Sequence, residues 1–372
     1  MGEQTRGGPG NIVVFGATGY SGALVTDALL RRGVRPVLAA RNAGQLRSMA
    51  DRLGGLEHRV ADVTDPASVR ALVGAGDVLV STVGPFERYG WAAAQAAVDA
   101  GAHYVDSTGE VGFVRELRAR CHDRAWRTGA VMVPAFGNDY VPGILAAGLA
   151  VADAGAEASA VEIGYFASGS LRNGLSQGTR TTMADGLSLP VLVREGGRLV
   201  DRRAAQSVRT FEVGDRRKQA VLATGTEVLF LPEQFPQLRD ITVYNGWFPA
   251  LARPTQVLAA AAWLAARSSL GRRGLAALTA RTTGPAGGPD TIERARTRTQ
   301  VVAVARSDRG ERLGQAGVEG PNVYTVTGDL MAAAAHRLAG GHGQTAGVVG
   351  PVEAFGAPAF AELCAEVGLM RA

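Results

Sequence analysis

Residues 11–22 read Asn11-Ile12-Val13-Val14-Phe15-Gly16-Ala17-Thr18-Gly19-Tyr20-Ser21-Gly22. Four apolar residues run into a turn with glycine at every third position, and an amphipathic stretch follows from Ala23 through Leu30. Strand, glycine turn and helix, in that order, form a site where a dinucleotide's pyrophosphate sits on backbone N–H groups at a helix N-terminus. Glycine is needed there so that the turn closes and the backbone can approach phosphate.

The same alternation continues outward. Apolar strands are predicted at Ile12–Phe15, Pro36–Ala40, Glu57–Ala61, Val78–Thr82, Tyr104–Asp106 and Val131–Pro134. Helices are predicted between them, at about Ser21–Arg31, Ala43–Leu53, Pro66–Val73, Gly90–Ala100 and Val111–Thr128, with Asp65 as a cap before Pro66. A βαβα rhythm of this kind gives a Rossmann-type, doubly wound parallel sheet. Near residue 150 the pattern changes. Val161–Phe166, Leu189–Arg194, Thr210–Val213, Glu227–Leu231, Ile241–Tyr244, Thr297–Ala305 and Asn322–Thr327 read as strands separated by turns, with Gly196-Gly197 as a hairpin. Asn173–Gly186 reads as a loop entering a helix, Leu251–Arg267 as a long buried Ala-rich helix, Thr283–Asp290 as a Gly/Pro-rich break and Asp329–Leu338 as a helix. The expected fold is α/β: an N-terminal Rossmann domain over residues 1–150, then an α+β domain with a mostly antiparallel sheet over 151–340. A C-terminal segment, 341–372, is expected to pack back on the first domain.

The chain has 372 residues, and single cores stop growing at about 250–300, so more than one domain is expected. No apolar run reaches the ~18 residues of a membrane span, and Met1–Gly10 is polar rather than a secretory leader, which predicts a cytoplasmic protein. Cys121 and Cys364 are the only cysteines, so neither a disulfide framework nor a Cys-rich metal site is expected, and five scattered histidines show no metal spacing. The net charge is +5 and almost wholly arginine, Lys218 being the only lysine. No arginine cluster is interleaved with aromatics, so the charge predicts a polyanionic cofactor rather than nucleic acid.

The strand ends supply the candidate ligand contacts. Gly16, Thr18, Gly19, Tyr20, Ser21 and Gly22 form the phosphate loop. After the second strand come Arg41 and Asn42, where an NAD site usually places an acid. A guanidinium there can bind a 2′-phosphate bidentately, so NADP (NADPH) is predicted over NAD. Asp62 and Val63 are placed to flank adenine. Ser81, Thr82, Val83, Gly84 and Pro85, with Tyr89 beyond them, offer small residues and backbone to a nicotinamide and its ribose. The sixth strand leads to Phe136-Gly137-Asn138-Asp139-Tyr140-Val141-Pro142-Gly143. Asp139 and Tyr140 are candidate proton donors there; Tyr20 suits a cofactor contact better, and a solvent proton is the alternative.

Absences narrow the chemistry. Short-chain reductases activate a tyrosine with a lysine four residues on, but the residue four before Lys218 is Gly214. Acyl-phosphate reductases need a cysteine in a Gly-Cys-Tyr context, which neither Cys121 nor Cys364 has.

Taken together, the motifs resemble the saccharopine dehydrogenase-like NADP-binding oxidoreductases. The matching stretches are Gly16–Gly22, then Val83-Gly84-Pro85-Phe86 with Tyr89-Gly90, then Tyr104-Val105-Asp106-Ser107-Thr108-Gly109-Glu110, then Val349-Gly350-Pro351-Val352-Glu353-Ala354-Phe355-Gly356. The nearest branch includes trans-acting enoyl reductases. Departures occur after the sixth strand, where Asn138 and Tyr140 stand in place of the family's Phe and Ser and its last Asp is missing. The second domain also lacks a pair of arginines for an amino-dicarboxylate. Tyr165-Phe166, Tyr244-Asn245-Gly246-Trp247-Phe248 and the Ala-rich helix are candidate pocket segments, or else domain core. The resemblance implies an NADPH-dependent reductase acting on a C=C or C=N bond, and the missing arginine pair points to a largely apolar small molecule. An antiparallel sheet with exposed edges and an apolar helix make a homodimer the expected assembly. A non-catalytic NADP-binding sensor or scaffold, and an amine or alcohol dehydrogenase, are the alternatives.

Overall fold

The computed structural model describes residues 10–169, 174–186, 189–282 and 287–372. The polar start before Gly10, Asn173 at the head of its loop, and residues 283–286 of the Gly/Pro-rich break lie outside the described residues.

In chain order the strands are β1 (Ile12–Phe15), β2 (Val37–Ala40), β3 (His58–Val60), β4 (Val78–Ser81), β5 (His103–Asp106), β6 (Val131–Val133), β7 (Ala160–Ser168), β8 (Pro190–Glu195), β9 (Arg198–Arg203), β10 (Val208–Val213), β11 (Arg216–Ala223), β12 (Asp240–Asn245), β13 (Arg298–Arg306), β14 (Arg312–Gly320), β15 (Gly347–Val348) and β16 (Met370–Arg371). The helices are α1 (Tyr20–Arg31), α2 (Ala43–Arg52), α3 (Pro66–Arg70), α4 (Phe86–Tyr89), α5 (Trp91–Ala100), α6 (Val111–Thr128), α7 (Val141–Ala154), α8 (Gln177–Gly186), α9 (Glu227–Gln234), α10 (Ala252–Ala265), α11 (Ser269–Thr282), α12 (Thr291–Ala295), α13 (Val323–Ala339), α14 (Pro351–Phe355) and α15 (Ala357–Glu366).

Two compact units divide the chain. The first comprises Met1–Thr108, Phe113–Gly137 and Thr327–Leu363; the second comprises Gly109–Gly112, Asn138–Val326 and Cys364–Ala372. The first unit is the Rossmann-type sheet, in the order β15-β6-β5-β4-β1-β2-β3, and every pairing is parallel. Its central strands β1, β2 and β4 are buried along their whole length, as apolar strands covered on both faces must be. Each fully buried Val or Leu there contributes about 1.5–3 kcal/mol relative to exposure. Helix starts are built into the βα loops: Asn42 Oδ1 accepts from Gln45 N–H, and the Asp65 carboxylate from Ala67 and Ser68 N–H ahead of Pro66. Past residue 340, β15 extends the sheet beside β6. The Gly350–Gly356 signature forms α14 just after it, with Phe355 edge-on to Phe136 at 5.7 Å between ring centroids.

The second unit is α+β. Its sheet runs β10-β11-β12-β7-β13-β14-β16, with β8 on β12 and β9 on β8; only β12 and β7 pair in parallel. One apolar cluster joins Phe166, Val191, Val193, Phe211, Leu222, Tyr244 and Val302. On β13 and β14 lies α7, so close that a Cβ at Gly314 would meet the Ala150 carbonyl oxygen at 2.7 Å.

Several sequence expectations are corrected in this unit. Glu227–Leu231 is not a strand but the start of α9. Its buried residues Glu227, Val228, Phe230 and Leu231 have helical spacing, and packing overrides β propensity. Asn322–Thr327 is not a strand either: Asn322 Oδ1 accepts from Tyr324 N–H and opens α13. Strands β11 and β14 were not expected. The helix expected to be buried at Leu251–Arg267 is α10, and one whole face of it is exposed. Phe166, Tyr244 and Trp247 prove to be core residues rather than pocket walls, and a Cβ on Gly246 would run into the Phe166 ring at 2.2 Å.

Candidate functional site

In the first unit, the switch in strand order falls between β1 and β4, where such sheets receive ligands at the carboxyl edge. Gly16 ends β1 with φ +88°. A Cβ there would meet Thr82 Oγ1 at 2.6 Å, so glycine is required twice over. The Thr82 hydroxyl donates to the Phe15 carbonyl at 3.1 Å, tying the tip of β4 to the loop. Gly16 and Ala17 N–H both donate to the Ala39 carbonyl, tying it to β2 as well. Gly19 N–H closes the turn onto the Gly16 carbonyl at 2.9 Å, and a Cβ on Gly22 would lie 2.2 Å from that same oxygen.

Gly19 is the N-cap of α1, extended, and offers no side-chain acceptor. The start of α1, at Tyr20, Ser21 and Gly22, is therefore the positive end of the helix dipole with no side chain capping it. Thr18 sits half-buried at the bend. A loop held open by backbone bonds and by glycines that no side chain could replace fits a pyrophosphate.

Arg41 and Asn42 are exposed just past β2. Asn42 spends its oxygen capping α2, whereas Arg41 stands beside Asp62. The Asp62 carboxylate accepts from Thr64 N–H and Thr64 Oγ1, both at 2.8 Å. Those bonds hold its pKa below the ordinary value, and the Arg41 charge adds to the effect. Val63 and Tyr89 line a surface cleft of about 570 Å3 with Arg70, Arg88, Trp91 and Arg120. Ser81 is fully buried, so at this edge it can offer a ligand only backbone; Val83, Gly84 and Pro85 follow it toward the surface. Asp106 is fully buried too: its Oδ1 accepts from Thr108 and Ala135 N–H and pins the tips of β5 and β6. His103 is structural, its Nδ1 accepting from Val131 N–H. Cys121 and Cys364 are both buried free thiols. Among the described residues no cluster of His, Cys, Asp and Glu could hold a metal ion.

Asp139 and Tyr140 belong to the second unit, at the entry to α7. Asn138 Nδ2 donates to Asp139 Oδ1 at 3.2 Å, and Asn138 Oδ1 accepts from Thr299 Oγ1 at 2.7 Å. Burial raises the Asp139 carboxyl to about 6, against the pull of the Asn138 amide. The Tyr140 hydroxyl donates to the Gly109 carbonyl at 2.8 Å. Burial first, then the neighbouring carboxylates of Asp139, Glu227 and Glu110, push its pKa well above the usual phenol value.

Sequence reasoning missed the partner of this pair. Glu227 is fully buried at the start of α9, with Oε1 2.7 Å from Tyr165 Oη. Tyr165 also donates to the Tyr140 carbonyl at 3.2 Å. Glu227 Oε2 has no hydrogen-bond partner. Two glycines make the space. A Cβ on Gly143 would lie 2.1 Å from both Glu227 Oε1 and Tyr165 Oη, and one on Gly225 would lie 2.2 Å from Glu227 Oε2. Burial raises the Glu227 carboxyl to about 8, and the charge of Asp139 adds to it. With its pKa at about 8, the buried Glu227 carboxyl is mostly the neutral acid at pH 7.

The fold and the nucleotide loop define the class, that of proteins with a Rossmann-type dinucleotide-binding domain. Residues 12–133 match the family model of the saccharopine dehydrogenase NADP binding domain, so the cofactor of this domain is NADP(H) and the resemblance read from the motifs is borne out. A trans-acting enoyl reductase of Mycobacterium ulcerans (strain Agy99) is 39% identical over 137 residues, covering 35% of this chain and 33% of the relative. A trans-acting enoyl reductase of Mycobacterium leprae (strain TN) is 38% identical over 138 residues, 36% of this chain and 33% of the relative. The match thus spans about a third of these relatives' length. The apo saccharopine dehydrogenase (L-Glu forming) of Saccharomyces cerevisiae superposes with a TM-score of 0.61 over 98% of this chain and 99% of its own, at 10% identity, and shares the fold. Among the described residues no helix is long and apolar enough to cross a membrane.

Proposed function

We propose that this protein is an NADPH-dependent reductase of a C=C or C=N bond in a largely apolar metabolite. The observation that carries the proposal is the glycine-shaped loop at Gly16–Gly22, locked to Thr82 and Ala39 at the switch point of the sheet. Similarity of the nucleotide-binding stretch to proteins named trans-acting enoyl reductase supports the choice of bond. The lack, in the second domain's sequence, of an arginine pair placed for an amino-dicarboxylate supports a largely apolar substrate.

When bound, NADPH supplies hydride. The loop N–H groups would hold its pyrophosphate, Arg41 would hold the 2′-phosphate, and the backbone of Val83–Pro85 would bound the nicotinamide end. Asp139 supplies the proton at Oδ2, the oxygen that Asn138 leaves free of its amide, and its pKa near 6 matches an acid that works close to neutrality. Tyr165 and the neutral Glu227 fix the Tyr140 backbone beside it and act as positioning residues.

Purified protein incubated with 4R- or 4S-deuterated NADPH and a panel of enones and imines should transfer deuterium from one face only. Tight NADPH binding with no transfer to any acceptor would identify a sensor or scaffold instead.

A further inference from the structure

Helix α10 is apolar on two opposite faces. Ala252, Ala259 and Ala262 are buried, and the helix packs on β9, β10 and β11. Its rotation is fixed by Gln256 Nε2, which donates to the Gln206 carbonyl at 2.9 Å, and by Arg203 Nη1, which donates to the Gln256 carbonyl at 3.4 Å. The outward face carries Val257, Leu258, Ala261 and Leu264, at i, i+1, i+4 and i+7, all exposed. Val257 is 71%, Leu258 56% and Leu264 63% accessible. Leu251 before the helix and Leu270 after it, 53% and 78% accessible, lengthen the row. A helix with a second, exposed apolar face needs an apolar phase against that face, and scattered surface leucines do not explain a continuous row.

The charges around the row identify what covers it. Residues 241–289 contain five arginines (Arg253, Arg267, Arg272, Arg273 and Arg281) and no aspartate or glutamate. Arg253 in the first turn of α10 and Arg267 just past its end are exposed, so the apolar row is bracketed by cations on long stems that can snorkel. A second copy docked on this face about a twofold axis would set the same arginines against each other, because an isologous contact repeats one patch. An acidic surface with an apolar interior meets both requirements. We propose that α10 and the turn into α11 form an interfacial helix that seats the protein on anionic lipid headgroups, with Val257, Leu258 and Leu264 entering the acyl boundary.

The test is sedimentation of the full chain with vesicles of phosphatidylcholine alone and of phosphatidylcholine with about a third phosphatidylglycerol, at low and high salt. The expected result is binding at least about tenfold stronger to the anionic vesicles and weakened by salt. The double variant Leu258→Gln/Leu264→Gln should lose at least about tenfold in vesicle affinity while keeping its circular dichroism and NADPH affinity. No partitioning, or partitioning unchanged in the double variant, would overturn the proposal. So would a dimer in sedimentation equilibrium that the double variant dissociates, which would give the face to a second copy.

Discussion

The hydroxyl of Tyr165 lies 2.7 Å from Glu227 Oε1 and 3.2 Å from the Tyr140 carbonyl oxygen, and it has one proton to give. Both contacts become hydrogen bonds when Glu227 is the neutral acid: its O–H donates to Tyr165 Oη, and Tyr165 donates to Tyr140. Ionisation of Glu227 would divert the phenol proton to the carboxylate, release the carbonyl, and leave a charge among buried groups. The facing titratable groups are Asp139 and Tyr140 ahead of α7 and Tyr165 on β7, none of them cationic.

Stability should therefore fall with rising pH through this one side chain. The folded-state pKa of Glu227 is raised from 4.5 to about 8, so the folded protein binds a proton that the unfolded chain releases. Its stabilising effect is complete below the unfolded value of 4.5 and is lost as pH rises through about 8, a change on the order of a few kcal/mol. Glu227→Gln keeps the shape and a donor to Tyr165 but cannot titrate. Denaturant unfolding at about pH 5 and about pH 8.5 should show a large drop for the parent and a much smaller one for the variant. Equal drops would mean that Glu227 is not the titrating group.

Gly143→Ala should destabilise by about 1–3 kcal/mol, because the new methyl would occupy the place of Glu227 Oε1 and Tyr165 Oη, each 2.1 Å away. Part of that loss should return in Gly143→Ala/Glu227→Ala, which empties the space. A double-mutant cycle should then give a coupling of at least about 0.5 kcal/mol, and strict additivity would dissociate the glycine from the cradle.

Arg41→Asp should weaken NADPH by about ten- to a hundredfold, the range for losing a charge-assisted bond, and leave NADH nearly unchanged or tighter. Titrating both cofactors by fluorescence separates the outcomes. Parallel losses would show that Arg41 stacks on adenine rather than reading the 2′-phosphate.

How legible each part was follows from what its residues must do locally. Strands β1, β2 and β4 are buried on both faces, so their apolar runs announce them. The loop at Gly16–Gly22 is a backbone requirement, which only glycine can satisfy and which a sequence therefore displays. Strand β11 begins Arg216-Arg217-Lys218 and β14 carries Gly314, Gly317 and Gly320; both are held by cross-strand pairing that no local propensity records. Val228–Leu231 is an apolar run short enough to suit a strand, and only packing makes it a helix. Glu227 was invisible for a deeper reason. Its neutrality depends on Gly143 and Tyr165, far off in sequence, and a buried acid has the same letter as a solvated one. On α10 the run of alanines and leucines read as core, since periodicity reports apolar faces without saying which of them meets protein.

Asp139→Asn bears most directly on the chemistry. If Asp139 supplies the proton, it must hold it, so reduction should be fast below about pH 6 and slow as pH rises through that value. The amide cannot donate an acid proton, so the variant should lose about 10²–10⁴-fold in rate and the limb near 6 should vanish. NADPH affinity should stay within about threefold, since the substitution is isosteric and replaces a group assigned to the proton rather than to cofactor binding. Tyr140→Phe is the companion variant. It removes the bond to the Gly109 carbonyl and leaves the carboxyl in place, so its profile should keep the limb at a reduced rate. A rate that survives in Asp139→Asn and is lost in Tyr140→Phe would transfer the acid role to Tyr140. The raised pKa of its phenol would then place the fall in rate far above neutrality, where a profile extended to alkaline pH would find it.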